Sequence, residues 1–184
     1  FEGLKRSGLQ NVVGVIGDST FVHSGITGLI NLAYNKVKGL IIILDNSTTA
    51  MTGNQPHPGT GLTIKGSETK RLMLEEISKA AGADNVIVVD AKDAKKIEAL
   101  IKDNITADKL SVLIVRSPCR LIEKTKSDPP YYIREQCKKC YQCLAIDCPA
   151  VSKSEDGFIS INYSVCIGCN LCVQVCPFKA LRER

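Results

Sequence analysis

The chain has 184 residues, 44% of them hydrophobic, with a formal net charge of +5, a length that allows one medium domain plus a small one. No apolar run approaches the ~20 residues of a membrane helix and nothing at the start resembles a signal peptide, so neither a membrane partner nor secretion is expected. The positive charge comes with no basic block or aromatic-interleaved patch, which argues against nucleic acid as a partner.

In chain order, residues 12–16 (VVGVI) and 39–44 (GLIIIL) are short, continuous apolar runs rich in β-branched residues. Such runs suit strands covered on both faces in a parallel sheet. Two more follow at 86–89 (VIVV) and 110–115 (LSVLIV). Helical faces lie between them: Ile26, Leu29, Ile30 and Ala33; Leu74, Ile77 and Ala81; Ile97, Leu100 and Ile101, each at i, i+3, i+4-type spacing. Ser67 is expected to cap the second helix and Gly82 to end it. The alternation predicts a right-handed, doubly wound α/β layer, whose ligands sit beyond the carboxyl ends of the strands.

Gly17-Asp18-Ser19 stands at the end of the first strand and Asp45-Asn46 at the end of the second, with 25 residues between Ser19 and Asp45. Adjacent parallel strands would set Asp18 and Asn46 side by side. One carboxylate, one amide oxygen and a main-chain carbonyl near Thr48 form a hard oxygen set suited to Mg2+, which takes few protein ligands plus phosphate oxygens. Amides at the following helix start would face the anion, and Gly14 and Gly17 would let the backbone approach closely. The pair resembles the thiamine-diphosphate motif, Gly-Asp-Gly followed by Asn-Asn, with Ser19 in place of the third glycine and Asp45 in place of the first asparagine. The expected metal ligands are Asp18, Asn46 and Thr48, and the expected cofactor-binding positions Gly17, Asp18, Ser19, Asn46, Thr48, Thr49, Met51, Thr52 and Gly53. Met51 could instead be ordinary packing. His23 and His57 are candidates for contact with substrate or cofactor, since imidazole titrates near neutrality. The bland alternatives are that His23 packs at a helix start and His57 stiffens a loop between Pro56 and Pro58.

The prolines at 118, 129 and 130 suggest a linker over 119–131, dividing an α/β domain (1–118) from a small one (132–184). The small domain repeats one pattern: Cys137, Cys140, Cys143 and Cys148-Pro149, then Cys166, Cys169, Cys172 and Cys176-Pro177. This is the bacterial-ferredoxin run, in which the fourth cysteine of each run ligates the other [4Fe–4S] cube. Cluster 1 is therefore expected on Cys137, Cys140, Cys143 and Cys176, and cluster 2 on Cys166, Cys169, Cys172 and Cys148. A zinc ribbon would use pairs of cysteines rather than triples. Four residues separate Cys143 from Cys148 where the usual run has three, with Asp147 in the enlarged loop. Eight thiolates and two oxidised cubes bring the loaded charge to about +1. Tyr131–Ile133 and 158–161 are strand candidates, with Asp156-Gly157 as the turn before the second. Ile146, Val165, Ile167, Leu171, Val175 and Phe178 are expected to form an apolar sleeve, and Lys138, Lys139 and Lys179 to guide an acidic acceptor. The ninth cysteine, Cys119, is left as a buried small apolar side chain. Thiolate-bound clusters point to a reducing cytoplasm.

GDSTFVHSG (17–25), LDNSTTAMTGNQPHPGTG (44–61) and the two cysteine runs together resemble the C-terminal half of the large (alpha) subunit of the indolepyruvate branch of 2-oxoacid:ferredoxin oxidoreductases. The likeness covers nearly the whole chain. It implies CoA-dependent oxidative decarboxylation of an aryl 2-oxo acid on thiamine diphosphate and Mg2+, with ferredoxin as the electron acceptor. Members of that family use a glutamate from a separate pyrimidine-binding domain, which does not fit in these residues. The chain, which begins at Phe1 rather than methionine, is thus expected to belong to a longer polypeptide or to dock with a smaller (beta) subunit, in an oligomer. The alternatives are another 2-oxo acid such as pyruvate, or an electron-transfer module on an inactive α/β platform.

Overall fold

The computed structural model describes residues 1–123 and 127–184, so residues 124–126 of the expected linker lie outside the described ones. The chain divides into two compact units, Phe1–Glu123 and Lys124–Arg184.

In the first unit, a short helix α1 (Glu2–Arg6) precedes four parallel strands: β1 (Val13–Gly17), β2 (Gly39–Asp45), β3 (Asn85–Asp90) and β4 (Leu110–Arg116). Their order is β1-β2-β4-β3. All four expected strands are present to within a residue at each end, because each is a continuous apolar run that burial on both faces requires. Between β1 and β2 the chain runs through α2 (Asp18–Thr20), a π-helical turn (Phe21–Gly25) and α3 (Ile26–Tyr34). α4 (Leu74–Ala80) precedes β3, and α5 (Ala94–Ile105), capped by the Asp93 carboxylate on Lys96 N, leads to β4.

The sheet carries a core on each face. Phe21, Leu29, Leu32, Ile43, Leu74, Leu110, Val112 and Ile114 fill one, under α3 and α4. Leu40, Ile42, Val89, Leu113 and Val115 fill the other, with Ile97, Leu100 and Ile101 of α5 packed on them. Alternate residues of β2 enter opposite cores, as the two-residue period of a strand dictates.

Gly82 does end α4, at a φ of +97 that a side chain would strain. Ser67 does not cap that helix, which starts seven residues later; its N–H instead donates to Thr63 Oγ1 in a turn closed by Gly66. Gly14 serves packing rather than cofactor approach, since a Cβ there would come within 2.7 Å of Ile41 Cδ1.

In the second unit, β5 (Tyr131–Tyr132) pairs antiparallel with a terminal strand, and β6 (Val151–Lys153) with β7 (Ile159–Ile161). Asp156-Gly157 is the turn of that hairpin. A single helical turn, α6 (Leu171–Gln174), comes before the terminal strand β8 (Leu181–Arg182). Its core is Cys143, Val151, Ile159, Cys172 and Leu181.

Candidate active site and cluster cavities

The register of β1 on β2 pairs Gly17 with Leu44, so the residue level with Asp18 is Asp45. Asn46, expected beside Asp18, falls one position further on. Two buried carboxylates thus meet at the carboxyl end of the sheet, Asp18 at 3% and Asp45 at 4% exposure. Two buried like charges at close range cannot both stay ionised without compensation, and the two are compensated differently.

Asp45 receives Arg116 Nε at 2.5 Å, and the same guanidinium reaches Glu75 at 2.8 Å. Burial pushes Asp45 upward, but hydrogen bonds and charge from Arg116 outweigh it and hold the carboxyl below its ordinary range. Asp18 has no guanidinium or ammonium partner among the described residues. Its Oδ1 accepts Ser19 N at 2.7 Å and its Oδ2 accepts Ser47 N at 2.9 Å. Burial nevertheless dominates and Asp18 is raised, with nearby Asp45 adding to the rise. A divalent cation would supply the missing counter-charge, so the donor set fits one.

Ser47, at a φ of +59, shares its N–H between Asp18 and Asp45. Asn46 Oδ1 accepts Thr48 N at 3.2 Å, and Thr49 Oγ1 donates to Ser19 Oγ at 2.9 Å, tying the two glycine- and asparagine-bearing loops together. Cys119 is half-buried rather than buried, and its N–H holds the Asn46 carbonyl at 2.9 Å. No Cβ clash would arise at Gly17 within 4 Å, leaving open space beside Asp18.

His57, one of the two histidines expected to contact substrate or cofactor, lies beside Asp18. The ring is buried, its Nδ1 accepts Gly59 N at 3.2 Å, and its Nε2 stands 3.3 Å from Asp18 Oδ2 without another partner. An accepting Nδ1 leaves the hydrogen on Nε2, close to the carboxylate but making no hydrogen bond with it. Gly59 is fixed by that ring, because a Cβ there would come 2.9 Å from His57 Cε1. His23, by contrast, is exposed on the π-helical turn, and no hydrogen bond or ion pair joins it to Asp18 among the described residues. Met51 is fully exposed and does not pack against this chain. It tops the turn Ala50–Thr52, which Gly53 closes at a φ of +113 and the Thr52 hydroxyl ties to Gln55 at 2.6 Å.

The eight motif cysteines are unpaired and line two separate cavities. Cys137, Cys140, Cys143 and Cys176 border one. Cys148, Cys166, Cys169 and Cys172 border another, walled by Ile146, Val165 and Ile167. The fourth cysteine of each run has crossed to the other run's cavity. Burial, then the neighbouring thiols, raises Cys143 and pushes Cys172 up to about 11. Two groups of four thiols, each around a space of this kind, fit two four-iron clusters. No three His, Cys, Asp or Glu residues gather around a single-ion site among the described residues. Of the lysines expected to guide an acceptor, Lys138 borders the first cavity, whereas Lys139 is tied to the Asp156 carbonyl and the Phe158 ring.

Residues 3–115 match the family model "Thiamine pyrophosphate enzyme, C-terminal TPP binding domain", and residues 159–182 match "4Fe-4S binding domain". Over 98% of its length the chain is 37% identical to indolepyruvate oxidoreductase subunit IorA of Methanothermobacter marburgensis. It is 40% identical to IorA of Pyrococcus horikoshii over 94% of its length, and 41% identical to that of Thermococcus kodakarensis over 93%. The chain spans 29% of the first of these relatives and 28% of the other two. With the parallel sheet, the carboxylate at its end and the cysteine cavities in place, the chain belongs to the thiamine pyrophosphate enzymes, carrying their C-terminal TPP-binding domain ahead of a 4Fe–4S binding domain.

Proposed function

We propose that this chain anchors thiamine diphosphate through Mg2+ in an indolepyruvate-type 2-oxoacid:ferredoxin oxidoreductase and carries the released electrons outward through two [4Fe–4S] clusters to ferredoxin. The observation that carries the reading is Asp18, a buried carboxylate lacking a cation at the carboxyl end of a parallel sheet, on the same chain as two four-cysteine cavities. Asp18, the Asn46 amide oxygen and a Thr48 oxygen would hold the metal. Gly17, Ser19, Thr49 and the turn from Met51 to Gly53 would lie along the diphosphate and its neighbouring groups. Once bound, thiamine diphosphate supplies the carbon nucleophile for decarboxylation, and the clusters supply one-electron acceptors.

His57 would then act through Asp18: its Nε2, 3.3 Å from Oδ2 and without a hydrogen-bond partner among the described residues, is placed to donate to that oxygen, in the manner of outer-shell donors at metal sites. His23, exposed, is free to meet substrate. Indolepyruvate as substrate follows from the naming of the IorA relatives, and CoA as acyl acceptor from the family resemblance. The short span of the chain on those relatives supports completion by further regions or by a smaller subunit, in an oligomer. Exposed apolar side chains on the sheet, Val15 at 62% and Leu44 at 48%, support the same reading. Nine unpaired cysteines fit a cytoplasmic setting, and no helix among the described residues is long and apolar enough to cross a membrane.

Asp18→Ala in the intact enzyme tests the anchor. Thiamine diphosphate affinity should fall more than tenfold while iron and sulfide content stay unchanged. Undiminished coenzyme binding would favour the alternative of an electron-transfer module on an inactive platform.

A further inference from the structure

The two cysteine cavities are not equivalent. Tyr132 enters the first from β5, whose position is fixed by its pairing with β8 and by Ile133 N donating to Ala180 O at 2.8 Å. Its ring borders the cavity with Cys137, and its hydroxyl is buried without a hydrogen-bond partner. A buried O–H left unpaired costs on the order of 1–3 kcal/mol, and the side chain with which this hydroxyl interacts is Cys137, one of the four cysteines of the cavity, so the fold retains a donor beside the sulfurs. The other tyrosine on this cavity, Tyr141, is already committed to Gly157 O at 2.9 Å. Lys138 adds a positive charge at the rim, and Cys140 is exposed.

The second cavity has the opposite character. Its walls are chiefly aliphatic, no tyrosine or lysine borders it, and its one polar side chain other than the cysteines, Asn170, has a buried carbonyl oxygen without a hydrogen-bond partner among the described residues. Asp147, in the enlarged loop, puts a negative charge directly before Cys148.

Reduction of a four-cysteine cube adds an electron to an already anionic group, and hydrogen bonds to its sulfurs, nearby positive charge and solvent contact all favour that step. We propose that the Tyr132 hydroxyl donates to sulfur of the cluster held by Cys137, Cys140, Cys143 and Cys176, and makes it the higher-potential member of the pair. The electron then passes from the reduced cluster on Cys148, Cys166, Cys169 and Cys172 to the oxidised cluster beside Tyr132. The first is oxidised and the second reduced by one electron, with no proton transferred. Tyr132 is a positioning residue for charge, and the cluster it serves is the one from which electrons leave. This inference rests on the two-cluster reading above.

The test is a reductive titration of the intact enzyme complex followed by electron paramagnetic resonance, with iron and sulfide assayed on the same samples. Wild type should show two one-electron steps. Tyr132→Phe, which removes only the hydroxyl, should move the higher step to lower potential and leave the other in place. Asp147→Asn should raise the lower step alone, which assigns it to the cluster at Cys148. With both clusters present by iron and sulfide, unchanged potentials in Tyr132→Phe, or movement of the step that Asp147→Asn shifts, would overturn the inference and spare the two-cluster reading. Iron and sulfide for a single cluster in the wild type would overturn both.

Discussion

A carboxylate buried to 3% exposure with no guanidinium or ammonium partner among the described residues is a standing electrostatic cost, and Asp18 bears it beside Asp45, which does not. Arg116 neutralises Asp45 and leaves Asp18 as the group that calls for a cation. That division explains why aspartate stands at 45 where the motif has asparagine: the extra charge is taken up inside the protein. The sequence motif pointed to Asp18 and Asn46, but the shared Ser47 N–H and the Arg116 bond depend on strand register, which no local spacing encodes. His57 lies 39 positions beyond Asp18 in the chain, so its approach to Oδ2 was equally out of view. The two roles of His57 can be separated by substitution. His57→Ala should weaken Mg2+ binding about tenfold or more. His57→Gln, which places an N–H near the Nε2 position, should recover most of that affinity, whereas His57→Asn, which can satisfy only Gly59 N, should not. Mn2+ binding to the intact complex, read by electron paramagnetic resonance, checks the series; equal affinities in all variants would confine His57 to a loop-stiffening role.

Among the elements, the four long strands were legible because each is an unbroken apolar run. The two- and three-residue strands β6 and β8 were not, since the cysteine loops rather than any apolar period position them. The π-helical turn at Phe21–Gly25 was also hidden; a Cβ at Gly25 would meet Ile16 Cδ1 at 2.6 Å, so the wide turn carries a glycine where it lies against β1. α5 is the helix packed on the second face of the sheet, which makes Leu113 a sensitive position at 1% exposure. Leu113→Ala should cost about 2–5 kcal/mol of stability, read by chemical denaturation of the intact protein. Arg116 also joins α4 to β4 through Glu75, whose hydrogen bond with Arg116 holds its carboxyl below the ordinary range. A depressed carboxyl stabilises the fold above its unfolded pKa, and that contribution disappears as pH falls through the folded value. Glu75→Gln should therefore lower stability by roughly 0.5–1 kcal/mol at pH ~7, and the gap should close below about pH 4. A gap that persists in acid would mean that the ion pair is not its source.

For the molecule as a whole, the apolar surface at Val15 and Leu44 belongs to a sheet layer that ordinarily has helices on both faces. Val15→Asp should impair assembly of the complete enzyme, measured by co-purification of its subunits, with little loss of the isolated strand order because the side chain is already mostly exposed here. The crossed sets of four expected from the bacterial-ferredoxin run are the sets that border the two cavities; the difference between the cavities was not legible, because Tyr132 reaches the first through β-pairing at the far end of the unit. The central claim is that one polypeptide holds a metal-anchored thiamine diphosphate and two cubes. Its most direct test is the cofactor content of the intact complex purified without air. The account predicts about eight irons, about eight sulfides and about one thiamine diphosphate per chain. Zinc in place of iron, iron for a single cube, or a complex that retains its clusters but binds no thiamine diphosphate would contradict it.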